Sequence, residues 1–236
     1  MSGSQKTPPQ GIQRSQIAAM YLDGSGIEVG ALHNPLAVPS QAKVRYVDRM
    51  PKEQLYEQYP ELRALPLVDV DIVDDGERLT TLAPQSQDFI IANHFLEHCQ
   101  DPIGTLKNFV RVLKVGGVVY AALPDMRFTF DDNRPPTTLD HIIRDHEEGP
   151  GQSRETHFDE WARYVDSHFG RHYPDEATIA ARAKVLSDQD YSIHFHCWGP
   201  SGMLEFLQYV VSTMPLQLEI FVQLNKEAIF ILRRIS

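Results

Sequence analysis

Apolar positions recur along this chain first at helical and then at strand spacing, and the changes of period mark out its elements. Over residues 13–22, Ile17, Ala18 and Met20 fall on one side of a helix, which the Asp23-Gly24-Ser25-Gly26 breaker ends. The β-rich runs Ile27-Glu28-Val29 and Val44-Arg45-Tyr46-Val47 then close on Gly30 and Asp48. Val68-Asp69-Val70-Asp71-Ile72-Val73 alternates apolar and acidic side chains before Asp74-Asp75-Gly76, and Phe89-Ile90-Ile91-Ala92 is wholly apolar before Asn93-His94. These are predicted strands three and four. Helical spacing returns over residues 102–113, where Pro102 occupies the first turn, Asp101 is a candidate cap, and Ile103, Leu106, Val110 and Leu113 share a face. Gly116-Gly117 ends that connection, and residues 118–123 form a fifth strand closing on Pro124-Asp125.

Short apolar strands separated by helices or tight connections predict an α/β domain, a parallel sheet with helices on its faces. Ligands in such sheets bind beyond the carboxyl ends of the strands. Those ends carry Glu28, Gly30, Asp48, Asp74, Asp75, Asn93, His94 and Asp125, which are candidates by position alone. The rhythm breaks over residues 126–191, a stretch rich in Asp, Arg, His and Trp with modest helical segments at 139–146 and 158–169. It is predicted as an insertion that covers the site. Regular structure resumes with an extended run at 191–197, a helix at 201–214, and an antiparallel hairpin of strands 216–224 and 228–233 around Asn225-Lys226-Glu227. Residues 1–11, polar with two prolines, are predicted to be a disordered tail, leaving 12–236 as one domain with its insertion.

Composition narrows the partners. A formal charge of −10, from 32 acidic and 22 basic residues, opposes the counterion-release attraction on which nucleic-acid binders draw, so no nucleic-acid partner is expected. No apolar run approaches the roughly 20 residues that span a bilayer, so no membrane partner is expected either. Cys99 and Cys197 cannot build a disulfide framework and fit a reducing compartment, from which a cytoplasmic location is expected.

The segment Phe89-Ile90-Ile91-Ala92-Asn93-His94-Phe95-Leu96-Glu97-His98, followed by Asp101-Pro102, a helix, and Arg111-Val112-Leu113-Lys114-Val115-Gly116-Gly117, resembles the fourth- and fifth-strand motifs of class I S-adenosylmethionine-dependent methyltransferases. Upstream, Glu28-Val29-Gly30 is similar to the first motif, Asp48 to the acidic residue ending strand two, and Asp75 with Leu79 to the loop after strand three. The closing hairpin is similar to the reversed last strand of that fold. The resemblance implies a Rossmann-like seven-stranded sheet of order 3-2-1-4-5-7-6 with an inserted lid after strand five. It also implies S-adenosylmethionine as cofactor and methyl transfer, read here as O-methylation of a small or saccharide-like polar acceptor. The first loop departs from the pattern, since Gly30-Ala31-Leu32-His33-Asn34-Pro35 holds one glycine. Thirteen residues, Pro35 and Pro39 among them, separate Gly30 from Val44, so the first crossover helix is expected to be very short or absent. Such a loop does not suit a diphosphate, which favours S-adenosylmethionine over NAD. It also keeps open an alternative, a non-catalytic S-adenosylmethionine-binding or scaffold protein.

Asp48 stands eighteen positions after Gly30, near the offset at which an acidic side chain meets ribose hydroxyls; the alternative is a solvated carboxylate paired with Arg49. Arg49 itself and His33 of the first loop join the cofactor-binding candidates. Asp75, preferred to Asp74, accepts from the adenine amino group or caps the turn at Gly76. Glu28 either faces the ammonium end of the cofactor or bonds loop amides. Asn93 and His94 should open onto the reacting sulfonium, where His94 serves as a base, because imidazole titrates near neutrality, or merely shapes the pocket. His98 is expected to anchor the turn that follows. His94-Phe95-Leu96-Glu97-His98 also matches the H-x-x-E-H pattern of zinc hydrolases, but that needs both histidines on one helix face, and His94 here ends a strand. His194 and His196 share a strand face at period two and are further candidate catalytic bases. Neither histidine pair has a third ligand at motif spacing, so no metal site is predicted. Arg127, Asp131, Arg134, Arg144, Asp145 and His146 either recognise a polar acceptor through arginine's planar donor fork or form a surface ion network.

Overall fold

Parallel strands β1 (Gly24–Val29), β2 (Ala42–Asp48), β3 (Ile72–Val73), β4 (Gln87–Asn93) and β5 (Leu113–Pro124) are completed by β6 (Leu216–Leu224) and β7 (Glu227–Arg234). The computed structural model describes residues 11–236; the tail expected over 1–11 lies outside these but for Gly11. The sheet order is 3-2-1-4-5-7-6, as the resemblance implied, with β7 antiparallel to both β5 and β6. The helices are α1 (Arg14–Tyr21), α2 (Lys52–Gln58), α3 (Pro102–Val112), α4 (Leu139–Glu148), α5 (Arg154–Glu160), α6 (Glu176–Asp188) and α7 (Pro200–Thr213). None among the described residues is long and apolar enough to cross a membrane.

Strand parity explains why the central runs are apolar throughout. Ile27, Val29, Ile90, Ala92, Val119 and Ala121 face α3 and α7, whereas Phe89, Ile91, Val118 and Tyr120 face α1 and the loop at Leu36, so both faces are buried. α3 contributes Ile103, Leu106, Phe109 and Val112 to the first layer, and α7 contributes Met203, Phe206, Leu207 and Val210. In α1 only Ile17 and Ala18 are buried, while Met20, expected on the same face, is exposed.

Several boundaries differ from the periodicity reading, each for a local reason. The Asp23–Gly26 breaker is largely strand: a Cβ on Gly26 would lie 2.3 Å from the Phe89 carbonyl, so glycine is what lets β1 approach β4. Gly116 and Gly117 lie inside β5, where a register shift against Gln87 and Phe89 absorbs them. The third strand keeps only two residues, because the Asp71 carboxylate accepts from the Tyr46 amide (2.8 Å) and Asp69 pairs with Lys52 (2.9 Å). No helix forms between Gly30 and β2, in line with the two prolines there.

The segment between β5 and α7 is mostly helical. α4 joins the main core through Ile142, whereas α5 and α6 pack with Ile193 and Phe195 in a separate cluster around Phe158 and Trp161. The helix expected over 158–169 is instead the end of α5, a wide π turn (Trp161–Val165) and a 3-10 turn (Asp166–Phe169). Residues 191–197 return to the sheet without forming a strand, and only Trp198 bridges to Asp125.

Candidate active site

A cavity of about 570 Å³ opens at the carboxyl ends of β1, β2, β3 and β4, within the size range of small-molecule sites. Its sheet side is formed by Gly30 and Leu32 after β1, Asp48 and Arg49 at the end of β2, Asp75 to Glu77 after β3, and His94, Phe95 and His98 after β4. Tyr59 and Leu62 beyond α2 form one wall. Asp190, Tyr191, Ser192 and Phe195 from the returning segment form the other.

The local backbone aims these groups. Gly30 has φ +66, a conformation that side chains resist, and a Cβ there would meet nothing nearer than Phe95 at 3.7 Å. The loop's one glycine thus leaves open space above the backbone. Leu32 and His94 are also left-handed, each at φ 49. Such conformations cost energy in residues with a side chain and concentrate at binding sites.

Asp48 uses one oxygen to accept from the Arg49 amide (2.8 Å), and burial pushes its carboxyl up to about 6. Arg49 does not pair with it through its side chain: the guanidinium bonds the Tyr59 hydroxyl (2.5 Å) and reaches Asp190 (3.3 Å), linking β2 to the far wall. Asp75 is half-exposed at the rim, with Oδ1 accepting from the Glu77 amide (2.9 Å). Asp74 does not line the cavity. It accepts from the Thr81 amide and hydroxyl (both 2.7 Å) and from Thr80, and these bonds outweigh burial to hold its carboxyl below the usual range. Glu28 does not line the cavity either, because parity turns it to the α1 face, opposite Ile27 and Val29. There both its oxygens accept from the Leu36 amide (3.0 and 3.1 Å), and burial pushes its carboxyl up to about 7. His33 contacts Asn34 at the surface, and Asn93 lies beneath the rim with neither amide atom partnered among the described residues.

Of the three histidines considered as bases, His94 alone borders the cavity. Its Nε2 is 2.8 Å from Glu227 and its Nδ1 is 3.6 Å from Glu97. Burial alone would raise the Glu227 carboxyl, but bonds from Arg14 and His94 hold it down at about 2. A carboxylate only accepts, so His94 donates to Glu227 through Nε2. His98 anchors the returning segment rather than its own turn: Nδ1 donates to the Ile193 carbonyl (2.8 Å), and burial, reinforced by His194, lowers its pKa to about 3. It is therefore a neutral wall of the cavity. His194 stands behind it, with Nδ1 2.6 Å from Asp131. Glu97, fully buried with both oxygens unpartnered among the described residues, completes this polar knot. His196 lies elsewhere, against His141 and His157. The shared face expected for His194 and His196 fails because their segment is not a strand. Asp131 and Arg134 form a buried pair (2.8 Å), which corrects the surface-network alternative for these two.

Sequence reasoning missed Tyr59, Leu62, Glu77 and the wall at Asp190 to Ser192. α2 buries only Leu55, too little apolar pattern to mark a helix, and nothing local shows which part of a long insertion returns to the sheet.

The donors present fit an S-adenosyl ligand. Asp48 keeps an oxygen for hydroxyl donors, Gly30 leaves room at the backbone, and the cavity size suffices. A family model described as a methyltransferase domain matches residues 24–121. Solved structures of the same fold include a candidate Zn-dependent alcohol dehydrogenase from Rhodobacter sphaeroides, with 15% identity over 92% of this chain and 86% of that one and a TM-score of 0.52. Another is the complex between the Haloferax volcanii Trm112 methyltransferase activator and a candidate methyltransferase, with 12% identity over 93% and 87% and a TM-score of 0.51. A candidate methyltransferase from Bacillus halodurans has 13% identity over 94% and 96%, with a TM-score of 0.50. At these identities the likeness is one of fold. No curated protein matches the chain. Over residues 24–121 the chain thus matches a methyltransferase domain, and its sheet order is that of the Rossmann-like fold of S-adenosylmethionine-dependent methyltransferases.

Proposed function

We propose that the chain is a methyltransferase that O-methylates a small, polar, saccharide-like acceptor. The observation that carries this reading is the composition of the cavity: carboxylates Asp48 and Asp75 stand on the β2 and β3 side, while His94, His98 and Ser192 stand on the other. A module that only bound the cofactor would need no such second, histidine-bearing wall. When bound, S-adenosylmethionine supplies an electrophilic methyl group on sulfur. Asp48 accepts the ribose hydroxyls and Asp75 the adenine amino group. A sugar hydroxyl is too weak an acid to react unaided, so His94 Nδ1 would take its proton as the methyl carbon passes from sulfur to oxygen, the sulfur–carbon bond breaking to leave S-adenosylhomocysteine. Glu227 steadies the imidazolium that results. The insertion closes over the site as a lid, and its returning residues Tyr191 and Ser192 exclude water and position the acceptor.

Calorimetry and a transfer assay test this together. S-adenosylhomocysteine should bind, NAD should not, and S-adenosylmethionine should be consumed only when a hydroxylated acceptor from a sugar panel is present. Tight NAD binding without a response to S-adenosylhomocysteine would sink the cofactor assignment. Cofactor binding with no turnover on any acceptor would favour the scaffold alternative.

A further inference from the structure

Away from the cavity, three buried side chains and the partly exposed His141, from three parts of the chain, converge. α4 presents His141 and Asp145 one turn apart, with His141 Nε2 3.1 Å from Asp145 Oδ2. α5 brings His157, whose Nε2 is 3.1 Å from His141 Nε2 and 3.7 Å from Asp145 Oδ2. The segment returning to the sheet brings His196, wholly buried, with neither ring nitrogen partnered among the described residues. One ligand-capable atom from each residue lies within 4.8 Å of the other three.

Hydrogen bonding accounts for only part of this arrangement, the contact between His141 Nε2 and His157 Nε2. Of two imidazole nitrogens facing each other, a neutral pair can share only one proton. Asp145 Oδ2 lies near two rings yet has no hydrogen bond of proper geometry among the described residues, and His196 is left with nothing. Leaving such groups buried and unpaired is costly. A divalent cation accepts all of these lone pairs at once.

We propose that His141, Asp145, His157 and His196 bind a zinc ion that pins the insertion to the sheet. Zinc–ligand bonds of roughly 2.0–2.1 Å in a tetrahedron set ligand atoms about 3.3 Å apart, which the spacings of 3.1, 3.1 and 3.7 Å among His141, Asp145 and His157 bracket, while His196 lies within 4.8 Å of all three. Three imidazoles and one carboxylate suit zinc, whereas magnesium and calcium take oxygen donors. Ser153 orients the carboxylate by donating to Asp145 Oδ1 (2.7 Å), which leaves Oδ2 for the ion. Arg134, whose charge bears on His157 and His196, is already paired with Asp131 (2.8 Å) and Glu160 (3.1 Å). Four protein ligands close the coordination sphere, and none of them lines the cavity, so the ion is structural. The expectation of no metal rested on sequence spacing; the further ligands come from distant helices of the insertion.

Elemental analysis of the full chain purified with zinc should give one zinc per molecule. Cobalt(II) loading should give the intense visible bands of a tetrahedral site, and zinc should raise the Tm of the chelated protein. His141→Gln, at the most exposed ligand, should abolish stoichiometric zinc and the Tm response. Ser153→Ala removes no ligand and should weaken zinc binding by about tenfold to a hundredfold. That variant keeps the test informative if a ligand variant fails to fold. A folded protein that binds no zinc after chelation and reloading would overturn the proposal, as would undiminished zinc binding in both His141→Gln and Ser153→Ala.

Discussion

Asp48 holds a charge that its surroundings disfavour, and this makes it the most sensitive single residue for testing the cofactor site. Its carboxyl is raised to about 6 by burial, so it is ionised and able to accept two hydroxyl donors only above that pH. If it holds the ribose, affinity for S-adenosylhomocysteine should be flat above pH 7 and should fall as pH drops through about 6, by at most about tenfold per pH unit. Asp48→Asn should remove this slope. Asp48→Ala should weaken binding by about 2–3 kcal/mol, since hydrogen bonds to a charged group contribute about 1.5–3 kcal/mol each and are not fully additive. An unchanged dissociation constant in the folded variant would refute the assignment. The same scale shows how far sequence position could go. Asp48, Asp75, Gly30 and His94 were legible as strand-end residues, and all line the cavity. Glu28 was equally legible but faces the other way, because adjacent strand residues point to opposite sides.

At the scale of elements, α3 illustrates a start signal that reads correctly and a constraint that does not show in sequence. Asp101 caps the helix by accepting from the Gly104 amide (2.8 Å), and the same carboxylate pairs with His146 of α4 (2.9 Å). Asp101→Ala should destabilise the fold by about 1–2 kcal/mol, combining a typical cap with a partly exposed hydrogen bond worth about 1 kcal/mol or less. Urea unfolding measures it. Gly104→Ala would ordinarily strengthen a helix by about 1 kcal/mol. Here the new Cβ would lie 2.2 Å from Asp101 Oδ2, so the cap is displaced and the sign should reverse. A Gly104→Ala protein more stable than the parent would contradict that reading. Elements with a strong apolar stripe, such as α3 and α7, were legible for the same reason that they are stable. α2 was not, since it packs by a single leucine.

On the scale of the whole molecule, the insertion divides into a part that belongs to the main core and a part that does not. Ile142 of α4 sits in the main core, while α5 and α6 enclose their own cluster. Replacing residues 150–189 with a Gly-Ser linker should therefore leave the sheet folded and cofactor affinity within about tenfold, or 1.4 kcal/mol, while abolishing transfer. Retained transfer by the folded deletion protein would place the acceptor site away from the lid. A change of oligomeric state would instead mark α5 and α6 as an assembly element.

The sequence by itself determined the order of the seven strands together with α3 and α7, because burial on one or both faces writes its period directly into neighbouring residues. It also determined which loop ends face the ligand edge, since that follows from strand direction. Only the tertiary structure decided what the histidines do. His94 and His98 are four residues apart and both line the cavity, yet one bonds Glu227 while the other is a neutral anchor for Ile193. His194 and His196, two apart, are drawn into different clusters, one with Asp131 and one with His141, Asp145 and His157. Their partners come from distant positions, and such contacts leave no period along the chain; packing creates them only once the insertion folds back on the sheet.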